Sequence, residues 1–264
     1  MAPPDYQVFA LRYATQQARI AAENLLFPDD HAAPMPIDYY IWAIRGGGRT
    51  IIVDTGFIPE SGRRRGREML HAPVDALAAA GIAASDVPEV VLTHLHWDHA
   101  GNWNLFPNAV FHLQDSEMAY ATGRLMCHGV FRRAMEVDNV IDAVRHVFDG
   151  RVRFHDGTAA IAPGITLHLI GGHTGGLQAV RVRTARGWVV LASDAAHFWL
   201  NIEQRNPFPL VVDVGRMLEG FRTLEELADS RDHIIPGHDP QVARRFPPLP
   251  GHPDIVRVDL APRA

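Results

Sequence analysis

Thr93-His94-Leu95-His96-Trp97-Asp98-His99-Ala100-Gly101 places three imidazoles and a carboxylate within six residues. The run follows directly on Val90-Val91-Leu92, so residues 90–93 read as a short strand. Residues two apart on an extended chain point the same way, so His94 and His96 can converge on one metal ion. Asp98 and His99 follow as the chain turns; their side chains point elsewhere and suit a second ion. So many polar groups make a poor core, because each needs a partner once buried. The alternative is a solvated histidine-rich loop, and a strand running straight into the cluster speaks against it.

Further along the chain, three more metal-capable side chains share one context: a strand end that runs into a turn of small residues. Gly171-Gly172-His173-Thr174-Gly175 follows a strand at 165–170, Ala192-Ser193-Asp194 follows 188–191, and Pro236-Gly237-His238-Asp239 follows 233–235. Each alone is weak, since a single His or Asp at a turn is usually structural. Together they supply three further ligands. Other strands are expected at 8–12, 37–44, 50–53, 110–113 and 179–183, with Arg45-Gly46-Gly47-Gly48-Arg49 as a hairpin turn. Helical spacing appears at 74–80, closed by Gly81, at 116–121, more loosely through 130–147, and at 214–227. Strands dominate both halves, with helices between and after them. That order suits an α+β fold with a sheet-on-sheet core flanked by helices better than strict α/β alternation. The Pro-rich stretch 246–253 reads as a surface tail, and no linker divides residues 1–264, so one domain is expected.

Composition narrows the function. Hydrophobic residues make up 47% of the 264 residues and charged residues 21%, an ordinary globular balance. The net charge of −5 disfavours a nucleic-acid partner. The local run Arg63-Arg64-Arg65 and Arg67, beside Ser61, Gly62 and Gly66, reads as a solvated loop rather than a phosphate or RNA patch. The single cysteine, Cys127, permits no internal disulfide and no Cys-rich zinc site, and is expected to be a small buried hydrophobe. Residues 1–13 show no signal-peptide pattern and no apolar stretch is long enough to span a bilayer, so a cytoplasmic protein without a membrane partner is expected. Histidine is the unusual count, 15 against 25 Lys plus Arg.

In this order, His94, His96, Asp98, His99, His173, Asp194 and His238 resemble the metallo-β-lactamase superfamily, and Asp54-Thr55-Gly56 matches an early motif of that family. The resemblance implies a four-layer αββα sandwich with a metal site along one edge. It implies one ion held by His94, His96 and His173, another held by Asp98, His99 and His238, and Asp194 bridging the two. Nitrogen and carboxylate ligands suit Zn²⁺ and also Fe²⁺, Mn²⁺ or Co²⁺. Two such ions polarise a carbonyl or phosphoryl oxygen and lower the pKa of bound water to near neutrality, so no Ser or Cys nucleophile is needed. Asp98, partly freed from its ion, is a candidate to carry a proton to the leaving group.

Departures within the family narrow the reaction. An aspartate at 194 disfavours the true β-lactamases. His96 stands where flavodiiron proteins carry a carboxylate. Only a short tail follows His238, where glyoxalase II enzymes carry a helical domain, and the sequence pI of about 6.3 disfavours an RNA-processing nuclease. The remaining resemblance is to N-acyl homoserine lactonases, which implies a small-molecule substrate with a carbonyl ester. Some quorum-quenching lactonases have a tyrosine three residues after the bridging aspartate to bind the substrate carbonyl; here that position is His197, which can donate the same hydrogen bond or serve structure. Met118, Tyr120, Met126, Phe131, Met135, Phe198, Trp199 and Phe208 are candidates for an apolar pocket over the metals, or simply core. The alternatives are a thioester, amide or phosphodiester hydrolase on the same site, and a metal-binding protein without catalysis. His112, His128, His146, His155, His168 and His252 match no motif and are expected in core or surface roles.

Overall fold

The computed structural model describes residues 3–263. Among these, the strands in chain order are β1 (Gln7–Gln16), β2 (Ile37–Gly46), β3 (Arg49–Val53), β4 (Glu68–Met69), β5 (Glu89–Val91), β6 (Val110–Gln114), β7 (Val152–His155), β8 (Ala159–Ala162), β9 (Ile165–Leu169), β10 (Gln178–Thr184), β11 (Gly187–Ser193), β12 (Ile234–Pro236), β13 (Pro248–Leu249) and β14 (His252–Arg257). The helices are α1 (Pro59–Arg64), α2 (Pro73–Ala79), α3 (Asp115–Ala121), α4 (Gly129–Arg132), α5 (Val137–Phe148), α6 (Trp199–Glu203), α7 (Val214–Leu227) and α8 (Gln241–Arg245). The larger sheet runs β13-β14-β1-β2-β3-β5-β6-β7, with β4 also on β1; the smaller runs β12-β11-β10-β9-β8.

Period-2 alternation builds the layers. Val8 and Ala10 of β1, Trp42 and Ile44 of β2 and Ile51 and Val53 of β3 meet Leu167 of β9, Val180 and Val182 of β10 and Val189 and Leu191 of β11. The intervening Phe9, Leu11, Ile41, Ala43 and Ile52 turn outward and pack with Ala76 and Leu77 of α2 and Ala143 of α5. On the far face of the smaller sheet, Ala179, Val190 and Ala192 pack against Met217, Phe221 and Leu224 of α7. Asp213 caps that helix by accepting the Arg216 N–H at 2.9 Å. Helix, sheet, sheet and helix thus stack in four layers, as the resemblance implies. The expected turn at 45–49 forms, with Gly47 and Gly48 at φ of 57° and 73°, the region the twist of a two-residue hairpin requires.

Four expectations need correction. The stretch 246–253 is not a surface tail. Phe246 is fully buried, β13 forms the sheet edge, and β14 pairs antiparallel with β1 at Leu11↔Ile255 and Phe9↔Arg257. Proline is tolerated there because the edge strand needs fewer N–H donors. The Asp259 carboxylate then accepts the Val8 N–H at 3.0 Å. Asp259→Ala leaves that donor without its acceptor and is expected to cost about 1–3 kcal/mol in a urea melt; an unchanged midpoint would show that this bond adds nothing to the hold on β1.

The loose helix expected at 130–147 divides into α4 and α5. The break has a use, because the Ala134 carbonyl accepts the N–H of Trp97, in the histidine run, at 2.9 Å. Arg63 and Arg64 are exposed ends of α1, but Arg65 and Arg67 are half-buried rather than fully solvated. Their guanidinium groups lie 4.7 and 5.7 Å from the Trp97 ring centre, and flat cations stack favourably on aromatic faces. Cys127 is exposed, in a short turn between α3 and α4 rather than in the core. Among the described residues no helix is long and apolar enough to cross a membrane. Residues 1 and 2 of the stretch read for a signal peptide lie outside the described residues, and from Gln7 onward it forms β1.

Candidate metal centre

β3, β5, β11 and β12 end at one edge of the sandwich, and the turns that follow carry the site. β5 stops at Val91, two residues earlier than expected, because the chain bends into the histidine run. Two residues pay backbone strain at this edge. Asp54 after β3 has φ of 62° and Ser193 at the end of β11 has φ of 46°, both in the left-handed region that L side chains avoid. The bend at Asp54 sends its carboxylate onto the Thr93 N–H at 2.7 Å, the Thr93 hydroxyl at 2.8 Å and His99 Nδ1 at 2.7 Å. The bend at Ser193 brings its hydroxyl within 2.8 Å of Thr93 Oγ1, tying the β11 turn to the β5 turn.

These contacts set tautomers. The Asp54 carboxylate only accepts, so His99 carries its proton on Nδ1. The Asp38 backbone carbonyl, 2.8 Å from His238 Nδ1, imposes the same on His238. Thr93 gives its one hydroxyl proton to Asp54 and accepts at 3.1 Å from His94 Nδ1. In all three rings the Nε2 lone pair is left to face inward. The Nε2 atoms of His94 and His99, and that of His96, are buried without a hydrogen-bond partner. Orphaned buried nitrogens cost free energy unless something accepts their lone pairs, and a cation does.

Asp194 is the centre of the arrangement. Its Oδ2 lies 3.1 Å from His173 Nε2 and 3.6 Å from His94 Nε2, while its Oδ1 lies 3.2 Å from His99 Nε2 and 2.9 Å from His238 Nε2. One oxygen therefore faces each set. His173 Nε2 is also 3.0 Å from His96 Nδ1, a separation at which two imidazole nitrogens share a proton or a cation. The ligand atoms of His94, His96, His173 and Asp194 form one group within 4.8 Å of one another, and those of Asp98, His99 and His238 form a second. Asp98 stands back, at 3.8 Å from His99 Nε2 and 3.9 Å from His238 Nε2. All seven residues singled out in the sequence are thus brought together, and the donor set fits two divalent cations.

The electrostatics agree. Burial holds the His94 and His96 imidazoles well below the usual histidine range, and the neighbouring rings add to it, so their lone pairs are free. At His99 burial acts in the same sense, but the carboxylates of Asp194, Asp54 and Asp98 outweigh it and raise its pKa. Burial pushes Asp194 upward, yet the imidazoles of His197, His99 and His238 hold it well below the usual carboxylate range. Proton and metal compete for the His99 Nε2, so cation binding there releases a proton and weakens as pH falls.

His197 also reaches the site. Its Nε2 is 3.1 Å from Asp194 Oδ2, and its ring stacks on Phe208 with centres 3.7 Å apart and planes 2° from parallel. Burial keeps it neutral, with a pKa of about 3. Of the apolar residues considered for a pocket, Phe208 alone is among the side chains lining the cavity over the cluster. Met118, Tyr120, Met126, Met135 and Phe198 pack into the core on the outer face of the larger sheet, and Trp199 lies between the sheets. The cavity, about 480 Å³, is walled instead by Tyr39 and Trp97 and by Arg19, Arg65, Arg67 and Arg133. A surface depression of similar size against α7 is lined by Arg205, Leu218, Glu219, Arg222, Glu225 and Glu226 and lacks a histidine.

Glu117 of α3 escapes sequence reasoning. It is fully buried, and its carboxylate accepts the Leu95 N–H at 2.9 Å, the Thr174 hydroxyl at 2.6 Å and the Gly176 N–H at 2.9 Å. It clasps the loop of His94 and His96 to the loop of His173. A Cβ at residue 176 would sit 2.1 Å from the Glu117 nitrogen, so only glycine fits there. A lone glutamate in a helical pattern carries no mark of burial; the nearby Gly175-Gly176 is the one hint of close approach. His112 and His146 lie in the core, stacked on His155 and Phe111 respectively, in keeping with the structural role expected of them.

The metallo-beta-lactamase superfamily model matches residues 36–247, a span containing every residue of the cluster. The chain is 30% identical over 199 residues to the N-acyl homoserine lactonase AttM of Azorhizobium caulinodans, covering 69% of each protein. It is 26% identical over 168 residues to the N-acyl homoserine lactonase AiiA of Bacillus thuringiensis subsp. kurstaki, covering 63% of this chain and 61% of that one. A solved quorum-quenching N-acyl homoserine lactone lactonase superposes with a TM-score of 0.75 at 20% identity, over 91% of this chain and 94% of that one, which speaks for a shared fold. With the sandwich, the strand-end turns and the ordered ligand positions all in agreement, the chain belongs to the metallo-β-lactamase superfamily.

Proposed function

We propose that this protein is a dinuclear metal-dependent hydrolase that opens the ring of a lactone, acting as one unit over its whole length. The observation that carries the reading is the placement of the two Asp194 oxygens, each facing a separate set of imidazoles. The curated relatives at 26–30% identity, named as N-acyl homoserine lactonases, support a cyclic ester as substrate. Zinc is the proposed metal; a solved neighbour described as a dizinc quorum-quenching lactonase supports it. The acidic balance favours a small-molecule substrate over nucleic acid, and the cytoplasm is the proposed place of action.

When bound, two divalent ions supply an activated water and a Lewis acid for the ester carbonyl. His94, His96 and His173 would hold one, His99, His238 and Asp98 the other, and Asp194 both. The residues of the chain do the rest. Asp54, Thr93 and the Asp38 carbonyl fix the tautomers that aim the lone pairs. Neutral His197, held flat on Phe208, gives its Nε2 N–H to Asp194 Oδ2 at 3.1 Å and so fixes the carboxylate that both sets share. Asp98 lines the cavity and has the longest contacts of the cluster, so its carboxylate can take a proton and deliver it to the departing alkoxide oxygen.

Asp98→Asn is expected to lower kcat by about 10²-fold, the usual contribution of a positioned acid or base. Full metal content with full activity in that variant would remove the proton-carrying role. His197→Phe keeps the stack on Phe208 and removes the N–H to Asp194; kcat/KM is expected to fall about tenfold, the worth of one charge-assisted hydrogen bond, and an unchanged kcat/KM would leave His197 without that role. The reaction class is tested with metal-loaded protein and a panel of lactones in a pH-stat. Ring opening is the expected result. Turnover of a thioester, an amide or a phosphodiester, with every lactone untouched, would reassign the reaction.

A further inference from the structure

The cavity over the cluster carries more positive charge than a neutral substrate needs. Four arginines line it, Arg19, Arg65, Arg67 and Arg133. Against them stands Glu23, whose carboxylate is turned to the Ile20 N–H at 3.1 Å; Asp98 and Asp194 belong to the metal centre. Arg65 is matched by Glu136 at 2.9 Å, and Arg133 is exposed.

Arg19 and Arg67 are different. Among the described residues, neither has a carboxylate within salt-bridge distance; Arg19 donates to the Glu23 backbone carbonyl at 2.6 Å and Arg67 to that of Arg65. The Nε of each is buried with no partner. Arg19 is only 9% exposed, and the carboxylates that act on it, Glu23 and Asp98, do so from beyond salt-bridge distance. A buried unpaired charge is costly, and the protein can recover that cost when an anion arrives. Burial lowers the Arg19 pKa and Arg67 adds to it, yet a guanidinium stays charged at any pH at which the protein is folded.

Position gives the pair its meaning. Arg19 lies 5.5 Å from the centre of the Phe208 ring, and His197, beside Asp194, stacks against the same ring. Arg67 lies over Tyr39 and Trp97, on the cavity wall. The cation pair is therefore set one aromatic ring back from the reacting centre. A group bound there belongs to a part of the substrate that does not react. Of the aromatic and methionine side chains considered for an apolar tail channel, Phe208 alone lines the cavity, while Tyr120, Met135 and Phe198 are in the core.

We propose that the lactone taken by this site carries an anionic group apart from its ring, a carboxylate or phosphate oxyanion, received by Arg19 and Arg67. This rests on the lactonase reading above and names its substrate class. Guanidinium forks match both oxyanions, so the test separates them.

The test uses three γ-lactones with tails of equal length, ending in a carboxylate, a phosphate monoester or a methyl ester. The kcat/KM of each is measured with metal-loaded wild type, Arg19→Gln and Arg67→Gln. Wild type is expected to prefer an anionic tail over the methyl ester by about tenfold or more, the worth of one charge-assisted hydrogen bond. The better of the two anionic tails names the oxyanion. In each variant the anionic-to-neutral ratio is expected to fall about tenfold, chiefly through KM. A ratio is insensitive to general damage, and Arg67→Gln carries the test if Arg19→Gln does not fold. Equal or better turnover of the methyl ester by wild type overturns the proposal and leaves the lactonase reading standing, as does a ratio unchanged in both variants. No ring opening with any of the three by metal-loaded wild type overturns both.

Discussion

Asp194→Ala is expected to lose more than about 10³-fold in kcat/KM, because the Lewis-acid stabilisation it organises is worth several kcal/mol and each 1.4 kcal/mol is tenfold. The other ligands are five imidazoles and one carboxylate, Asp98, whose contacts are the longest in the cluster. Removing Asp194 takes away the one group among the described residues whose two oxygens face both sets. Metal content should fall with activity. Stability separates this from damage to the fold. The imidazoles of His197, His99 and His238 hold Asp194 ionised, so its removal should lower the melting temperature of chelated protein while leaving a single cooperative melt. A chelated variant with no cooperative melt would instead make Asp194 a structural residue.

Glu117→Gln should have its effect on the fold first and on turnover second. The wild-type carboxylate offers acceptors only, to Leu95 and Gly176 N–H groups and the Thr174 hydroxyl. The amide of glutamine turns one acceptor into a donor, which then opposes a backbone N–H with no water near. One or two unsatisfied buried donors cost about 2–4 kcal/mol, or about 5–15 °C in Tm for a chain of this size. The pH dependence follows from its pKa. Burial raises that pKa above the ordinary glutamate value, although three donors pull it down. A folded-state pKa above the unfolded one means that Glu117 favours folding most at low pH and less as pH rises through that range. The variant's deficit should therefore be largest in mildly acidic buffer and shrink toward neutrality. Because Glu117 clasps the His94–His96 loop to the His173 loop, metal affinity should fall as well. A variant with wild-type Tm and metal affinity would show that the loops hold their register without it.

How much of this the sequence discloses depends on how local each signal is. His94, His96, Asp98 and His99 are legible because their spacing is local and follows a strand. His173, Asp194 and His238 are legible because each sits where a strand meets small residues. The hairpin at 45–49 and α7 are legible for the same reason, as turn chemistry and a helical period written in consecutive residues. What stays hidden depends on contacts distant in the chain. Glu117 meets partners twenty-two and fifty-seven residues away. Arg19 and Arg67 look like surface cations until the fold sets them over aromatic rings. The final strand hides behind prolines because only its pairing with β1 makes it a strand. Whether the large apolar residues line a pocket or the core is not legible, because such a residue reads the same in either place; of them Phe208 alone lines the cavity.

Metal content and ring opening measured on one sample, through chelation and stepwise return of zinc, bear most directly on whether Asp194 joins two cations. The expected result is about two equivalents per chain, activity abolished by chelation, and recovery that follows the second equivalent rather than the first. Undiminished lactone opening by protein holding less than one equivalent would contradict it.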